Sequence, residues 1–274
     1  MLRGFYTATN GMLTQQRRQE VLSNNMTNAQ TPGYKQDQTA LRAFPELLMQ
    51  RVENRDIPTS QGTKVPTMTE IGAINSGVYV QETIPDFVQG GLRQTDIATD
   101  MALAQGETPD DTGSIFFTVQ NGDGDVRYTR NGNFTVDGEG NLTTNEGFYV
   151  LDNEGNPINT DNMSFTVTPE GFVQTDNGEV ALDISYSANA NDLVKNGQDL
   201  FELGEDAEAL VDARGVAGLQ FNVLQNQLEN SNVDTGQTMT DMMQAYRSFE
   251  ANQKIIQQYD RSLDKAVNEI ARLG

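Results

Sequence analysis

The C-terminal forty residues place the strongest limit on what this chain can fold into. Met239, Met242, Tyr246, Phe249, Gln253, Ile256, Asp260, Leu263, Val267 and Ile270 follow one another at alternating steps of three and four. No Pro or Gly interrupts the run after Gly236. The spacing predicts a helix over 233–273 with a coiled-coil-type seam, flawed only at Gln253 and Asp260. A helix that is apolar along one narrow stripe owes its stability to packing rather than to propensity. It needs a partner, either the other end of the chain or a neighbouring molecule. The plainer alternative is that both ends pack onto their own β domain.

Residues 1–30 read as a second helix. They contain no Pro, and Leu2, Phe5, Tyr6, Ala8, Met12 and Leu13 sit at helix-compatible spacing, ahead of a polar run over 15–20 and then Val21 and Leu22. Thr31-Pro32-Gly33 is the stop signal, because Pro drives its predecessor out of the α region and Gly permits a turn. Asn24, Asn25 and Asn28 are poor helix formers just before that stop. They fit a polar, fraying last turn, or amides that bond across an interface where buried polar groups must find partners. The residues alone leave both open.

Between the helical ends lie two textures. Residues 36–90 read as a connector: Pro45-Glu46-Leu47-Leu48-Met49 resembles a short helix with Pro in its first turn, Pro58, Gly62 and Pro66 keep the chain irregular, and Val78-Tyr79-Val80 suits a strand. Gly90-Gly91 marks a boundary. Residues 91–225 read as β structure, with short β-branched and aromatic runs at 115–119, 126–130, 133–136, 148–151, 165–168, 172–174 and 180–186 separated by Asn/Asp/Gly turns. Asn131-Gly132 predicts a type I′ hairpin between Tyr128 and Phe134. Val180, Leu182, Ile184 and Tyr186 alternate with Ala181, Asp183 and Ser185, the period of one half-buried strand. The fold class is thus a mainly β central domain with N- and C-terminal α-helices that pair as a coiled-coil-type domain (α+β). Its parts are 1–35, 36–90, 91–225 and 226–274.

Composition narrows the function. The chain has 274 residues and neither Cys nor His nor Trp, which removes thiol nucleophiles, imidazole or thiolate metal ligands and every triad built on imidazole. A hydrolase would have to run on Asp, Glu, Tyr or the five lysines. Of the net charge of −21, residues 56–225 hold −22, against +3 for 1–55 and −2 for 226–274. An acidic chain repels nucleic acid and anionic lipid, whereas near-neutral ends can pack side by side. No stretch approaches the ~18 apolar residues of a membrane helix, and Met1-Leu2-Arg3-Gly4 does not lead into a cleavable signal.

Candidate chemistry fails site by site. The acidic runs 121–125, 137–141 and 152–156 place Val126, Leu142 and Pro157 where a calcium-binding EF-hand loop requires Gly; they read as turns between strands. Ser262-Leu263-Asp264-Lys265 matches the S-x-x-K of serine acyltransferases, but its companion motifs are missing and Leu263 belongs to the apolar seam. Asp110-Asp111 lie in a turn-forming loop rather than a glycosidase dyad. No catalytic, cofactor-binding or metal-binding residue is assigned.

Three runs carry a resemblance. Leu22-Ser23-Asn24-Asn25-Met26-Thr27-Asn28-Ala29-Gln30-Thr31-Pro32-Gly33-Tyr34-Lys35 resembles the N-terminal signature of the bacterial flagellar rod and hook proteins. Leu228-Glu229-Asn230-Ser231-Asn232-Val233-Asp234, continued by Met242 and by Tyr246 through Lys254, resembles the C-terminal signature of that family. Tyr128-Thr129-Arg130-Asn131-Gly132-Asn133-Phe134 and Gly140-Asn141-Leu142 resemble its β domain. One departure is the longer segment Gly106–Gly113 before Ile115-Phe116-Phe117. Within the family the chain is most similar to the rod-type paralogues of Gram-positive flagella.

The resemblance implies a non-enzymatic axial subunit of the basal-body rod. Such a subunit is exported by the flagellar type III apparatus without a cleaved signal peptide. It polymerises with itself or with neighbouring rod and hook subunits into a helical tube that carries torque to the hook, with no cofactor, no nucleic acid and no membrane insertion. Helix packing within and between subunits then falls to Leu22, Asn24, Asn25, Met26 and Asn28 at one end. At the other it falls to Met239, Met242, Tyr246, Phe249, Ile256, Leu263, Val267 and Ile270. Pro32, Gly33 and Tyr34 set the exit from the inner tube. The residues leave room for a secreted binding module or adhesin that shares the β domain, for which 1–35 and 233–274 would be dispensable, and for an enzyme built on carboxylates of the acidic middle.

Overall fold

The computed structural model describes residues 2–56, 64–161, 165–175, 178–197, 199–204 and 207–271. A helix at each end, Leu2–Thr27 and Thr235–Ala271, brackets a region that is mostly strand. Both helices fall within the expected spans 1–30 and 233–273. The second is capped by Asp234, whose Oδ1 accepts the amide of Gly236 at 2.9 Å, and the first ends ahead of Gly33 at φ +69°. The chain divides into two compact units, one of residues 1–23, 39–83 and 237–274, the other of 24–38 and 84–236.

The first unit corrects the reading of 36–90 as irregular chain. Strand Asp37–Ala43 pairs with Val78–Pro85, and Leu47–Asp56 pairs antiparallel with Lys64–Ile74. The expected short helix over 45–49 is therefore the beginning of a two-stranded ribbon. Leu and Met are good helix formers, but intrinsic propensity amounts to tenths of a kcal/mol per residue, and ten residue pairings along Leu47–Asp56 override it. Phe44 and Asn75 hold the base of the ribbon: the Phe44 amide donates to Gly77 O and the Asn75 Nδ2 donates to Phe44 O, both at 3.0 Å. Pro58 and Gly62 lie outside the described residues.

In the second unit a nine-stranded sheet is organised around Ser114–Gln120. One edge of that strand takes Ile184–Ser187 and then Tyr149–Val150; the other takes Val126–Thr129. Both faces are covered. Ile115, Phe117 and Val119 enter the main core with Phe134, Leu142, Val150 and Ile184, while Phe116 packs against Phe201 and Phe87 at ring distances of 5.7 and 5.5 Å. Burial on both faces explains a continuous apolar run where a half-exposed strand would alternate.

Two local expectations change. The alternating run 180–186 is two strands, Gly178–Ala181 in a three-stranded sheet and Ile184–Ser187 in the large one. Leu182 and Asp183 turn the chain between them by donating their amides to Gly171 O and Leu151 O. Asn131-Gly132 makes no hairpin: Val126–Thr129 pairs with Ser114–Gln120 and Leu200–Leu203, whereas Phe134–Val136 pairs with Leu142–Thr144. Glycine is needed at 132 for closeness, not for a positive φ. A Cβ there would stand 1.6 Å from the carbonyl oxygen of Met101, whose amide donates to Gly132 O at 3.0 Å.

The acidic runs are turns, and one design is used five times. In 121–125, 137–141, 144–148, 152–156 and 168–172 the first residue is Asn, Asp or Thr and the fourth is Gly. In each, the first amide donates to the fifth carbonyl, the Gly amide donates back to the first carbonyl, and the first side-chain oxygen accepts the fifth amide. The five glycines sit between φ +83° and +89°, a region that suits Gly. Each Asn, Asp or Thr oxygen that leads a turn is thus spent on its own backbone.

Replacing Gly132 by Ala should cost about 1–3 kcal/mol, the range of a forced backbone shift in a core. Gly138→Ala, which meets nothing within 4 Å, should stay near neutral. Urea unfolding of the two variants checks this, and equal midpoints would contradict the crossover geometry.

Candidate assembly elements

In the first unit the helices lie side by side in opposite directions. A Cβ on Gly4 would fall 2.0 Å from the Tyr259 hydroxyl, one on Gly11 would fall 3.0 Å from Asn252 Nδ2, and Arg18 Nη2 lies 3.9 Å from Asp241 Oδ1. Gly4, Gly11 and Arg18 are seven residues apart, as are Ala245, Asn252 and Tyr259. Ala245 is fully buried, and Met242, Phe249, Ile256 and Leu263 are half-buried. Every second member of the expected seam is thus displaced by one residue: Ala245, Asn252 and Tyr259 turn inward in place of Tyr246, Gln253 and Asp260. Gln253 and Asp260 are exposed, and the polar group that faces the first helix is instead the Asn252 amide opposite Gly11.

That displacement leaves a different apolar set outside. Met239, Tyr246 and Val267 are 57%, 55% and 65% exposed, with Met243 and Ile255 also exposed; on the first helix Tyr6 and Leu13 are more than half exposed. Leu22 is half-buried, and the side chain of Ile270 lies outside the described residues. Ser262 Oγ donates to Gln258 O one turn back at 2.8 Å, a helix-internal bond for the serine of the S-x-x-K match.

The second unit gathers the remaining candidates around the end of the first helix. Asn25 is buried, and its amide holds the main chain of Asp37 from both sides: Nδ2 donates to Asp37 O and Oδ1 accepts the Asp37 amide, each at 2.9 Å. The Tyr34 hydroxyl lies 3.1 Å from both Asn24 Oδ1 and Asn25 Oδ1, and Asn28 Nδ2 donates to Asn24 Oδ1 at 2.9 Å. Within the chain the three asparagines therefore fold the chain back after the helix. Met26 and Pro32 are half-buried beside them. Gly33 must be glycine on two counts, its φ of +69° and a Cβ position 2.4 Å from the Arg130 carbonyl.

A cluster of charged residues, not singled out as a site by the sequence, lies just beyond. Lys35 and Glu229 are each 1% exposed and meet at 2.6 Å, and Arg130 Nε donates to the other Glu229 oxygen at 3.0 Å. Lys35 Nζ also donates to Val88 O, Arg130 Nη1 to Ile115 O, and the Gly90 amide to Glu229 Oε1, all at 2.9 Å. The Gly33 amide donates to Glu229 O at 2.8 Å. Burial would raise the Glu229 carboxyl, but Arg130, Lys35 and the Gly90 amide outweigh it and hold it below the usual range. Burial, followed by the Arg130 charge, pulls the Lys35 ammonium down to about 8. Asn232 completes the junction, accepting the Gln36 amide at 2.7 Å and donating to Asp86 O at 2.8 Å.

Lys195 approaches from the sheet. Its Nζ donates to Lys35 O at 2.6 Å and Asp37 Oδ1 at 2.8 Å and lies 4.1 Å from the Tyr34 ring centroid. The runs at 22–35, 128–134 and 228–234, separated by roughly a hundred residues each, meet here. Each motif supplies one charge to the cluster, Lys35, Arg130 or Glu229, and no sequence signal pointed to their meeting.

Residues 5–35 match the family described as flagella basal body rod protein, 112–192 the D1 domain of flagellar hook protein FlgE/F/G, and 224–269 the C-terminal part of flagellar basal body rod FlgEFG protein. The flagellar hook-basal body complex protein FlhO of Bacillus subtilis is 43% identical over all of both chains. The flagellar basal-body rod protein FlgG of Borreliella burgdorferi is 31% identical, with 98% of each chain covered. FlhP of Bacillus subtilis, another hook-basal body complex protein, is 27% identical over 96% of this chain and 97% of its own. The chain belongs to the flagellar hook and basal-body rod protein family, whose members are structural proteins of the flagellum and not enzymes.

Asp199 gives this region a pH signature. Burial pushes its carboxyl from 3.8 up to about 6, with Lys195 opposing. Between those values the folded chain holds a proton that the unfolded chain has released, so this group adds stability as pH falls from 7 towards 4. The stability of the wild type relative to Asp199→Asn should therefore rise over that window in urea titrations; a constant difference would contradict the burial.

Proposed function

We propose that the chain is an axial subunit of the flagellar basal-body rod. It polymerises with copies of itself or with neighbouring rod and hook subunits into a helical tube that transmits torque to the hook. It reaches that site through the flagellar type III export apparatus, without a cleaved signal peptide. The parts are an inner helical domain from 1–35 and 226–274 with coiled-coil-type pairing, a connector over 36–90, and a β domain over 91–225.

The observation that carries this reading is the exposed apolar cluster Met239, Met243 and Tyr246, with Val267 further along, on a helix whose other face packs against the first helix. Large exposed apolar side chains repeated along a helix suit a protein interface, and an interface repeated by a non-closing rotation and rise builds a tube. The acidic middle of the chain suits an outer surface, where it would keep laterally packed subunits apart everywhere except along their near-neutral ends. Family membership over both helical ends and the β region supports the same reading.

Tyr246→Glu separates packing between subunits from packing within one. Because Tyr246 is more than half exposed, the variant should unfold within about 0.5 kcal/mol of the wild type, yet cells carrying it should fail to swim and should lack complete rods. Phe249→Asp should also abolish assembly while leaving the β domain folded. Normal motility in both variants would overturn the assembly role of this helix.

A further inference from the structure

The charged cluster in the second unit asks for a role that subunit packing does not supply. Its three members come from three places in the chain: Lys35 from the segment after the first helix, Arg130 from the crossover between strands, and Glu229 from the strand Gln227–Glu229. All three are buried. One carboxylate serves two cations, so its removal would leave an ammonium and a guanidinium sharing a buried site with no anion. Truncating one member of such a group strands the others without compensation.

We propose that Glu229 is the bridge of a two-key latch, so that segments 31–38 and 228–234 become ordered only together. With 228–234 absent, Lys35 entering its site would meet the Arg130 charge, the carbonyl of Val88 and the weaker pull of the Asp86 carboxylate, which together leave most of the cost of stripping water from the ammonium unanswered. The Gly33 amide would lose Glu229 O, and the Gln36 amide would lose Asn232 Oδ1. With 31–38 absent, Glu229 would keep Arg130 and the Gly90 amide. The latch is therefore asymmetric. The C-terminal segment can dock first, and the N-terminal segment cannot stay without it. A chain lacking its last fifty residues would leave its N-terminal signature undocked even with the β sheet complete. This coupling stands on the geometry of the second unit and does not depend on the flagellar reading.

Hydrogen exchange on the full-length chain tests it. Glu229→Gln should accelerate exchange of the 31–38 amides on the order of a hundred-fold, as expected for a broken buried pair. Amides of 115–120 and 142–150 should keep their wild-type rates. Adding Lys35→Met to Glu229→Gln removes one of the two stranded cations, so it should restore part of the protection rather than add to the loss. Unchanged exchange at 31–38 in the single variant, or additive loss in the double one, would overturn the latch. If Glu229→Gln fails to fold, Lys35→Met alone decides. Faster exchange at 31–38 with smaller changes at 228–234 supports the asymmetry, and equal loss at both segments overturns it.

Discussion

The ion cluster of Lys35, Glu229 and Arg130 is the interaction on which the second unit turns. Burying three charges costs several kcal/mol per ion before any pairing, and here the pairing is nearly complete. Glu229 receives the Lys35 ammonium, the Gly90 amide and the Arg130 guanidinium on its two oxygens. The surrounding requirements follow from that closeness. Gly33 is confined by the backbone of Arg130, and a Cβ on Gly90 would lie 1.9 Å from the Asn230 carbonyl. The motif glycines and charges therefore belong to one junction where distant stretches of backbone approach within van der Waals contact. Asn25, Tyr34 and Lys195 extend the junction to the end of the first helix, so the direction in which the chain leaves that helix is fixed by side chains rather than by a rigid turn.

Much of this was legible in the sequence, for physical reasons that differ between regions. The two helices were plain because neither run contains Pro, the first is closed by Pro32-Gly33, and the second keeps one apolar period of three and four for some thirty residues. The turns at 121–125, 137–141 and 152–156 were plain because Asn and Asp oxygens followed by Gly satisfy their own backbone locally, whereas the turns led by Thr144 and Thr168 emerged only in the structure. What could not be read depended on partners far along the chain. The ribbon at 47–74 looks irregular in sequence because its strands stabilise each other by pairing, and Leu47-Leu48-Met49 carries no strand preference of its own. Asn131-Gly132 has the composition of a tight hairpin, yet the carbonyl of Met101, thirty residues upstream, is what demands the glycine.

The helical seam shows the same division at finer scale. Heptad spacing was correct, but periodicity alone does not say which of two adjacent stripes faces inward. Gly4 and Gly11 decide it, because they admit Tyr259 and Asn252 and so rotate the C-terminal helix away from Tyr246 and Asp260. The junction residues Lys35, Arg130 and Glu229 stood inside the recognisable motifs, but nothing in their spacing revealed that they meet. Only the fold brings a Lys and a Glu nearly two hundred residues apart to 2.6 Å.

Together these features describe a β unit that buries one ion cluster where 31–38 and 228–234 meet, and a C-terminal helix with apolar side chains exposed. Exposed apolar side chains on a terminal helix suit a structural subunit of the flagellar basal body. The most direct test of that account is an in-frame deletion of the gene in the source cell, scored by electron microscopy of isolated basal bodies. The account predicts truncated rods without hooks. Intact rods and hooks in the deletion strain would contradict it.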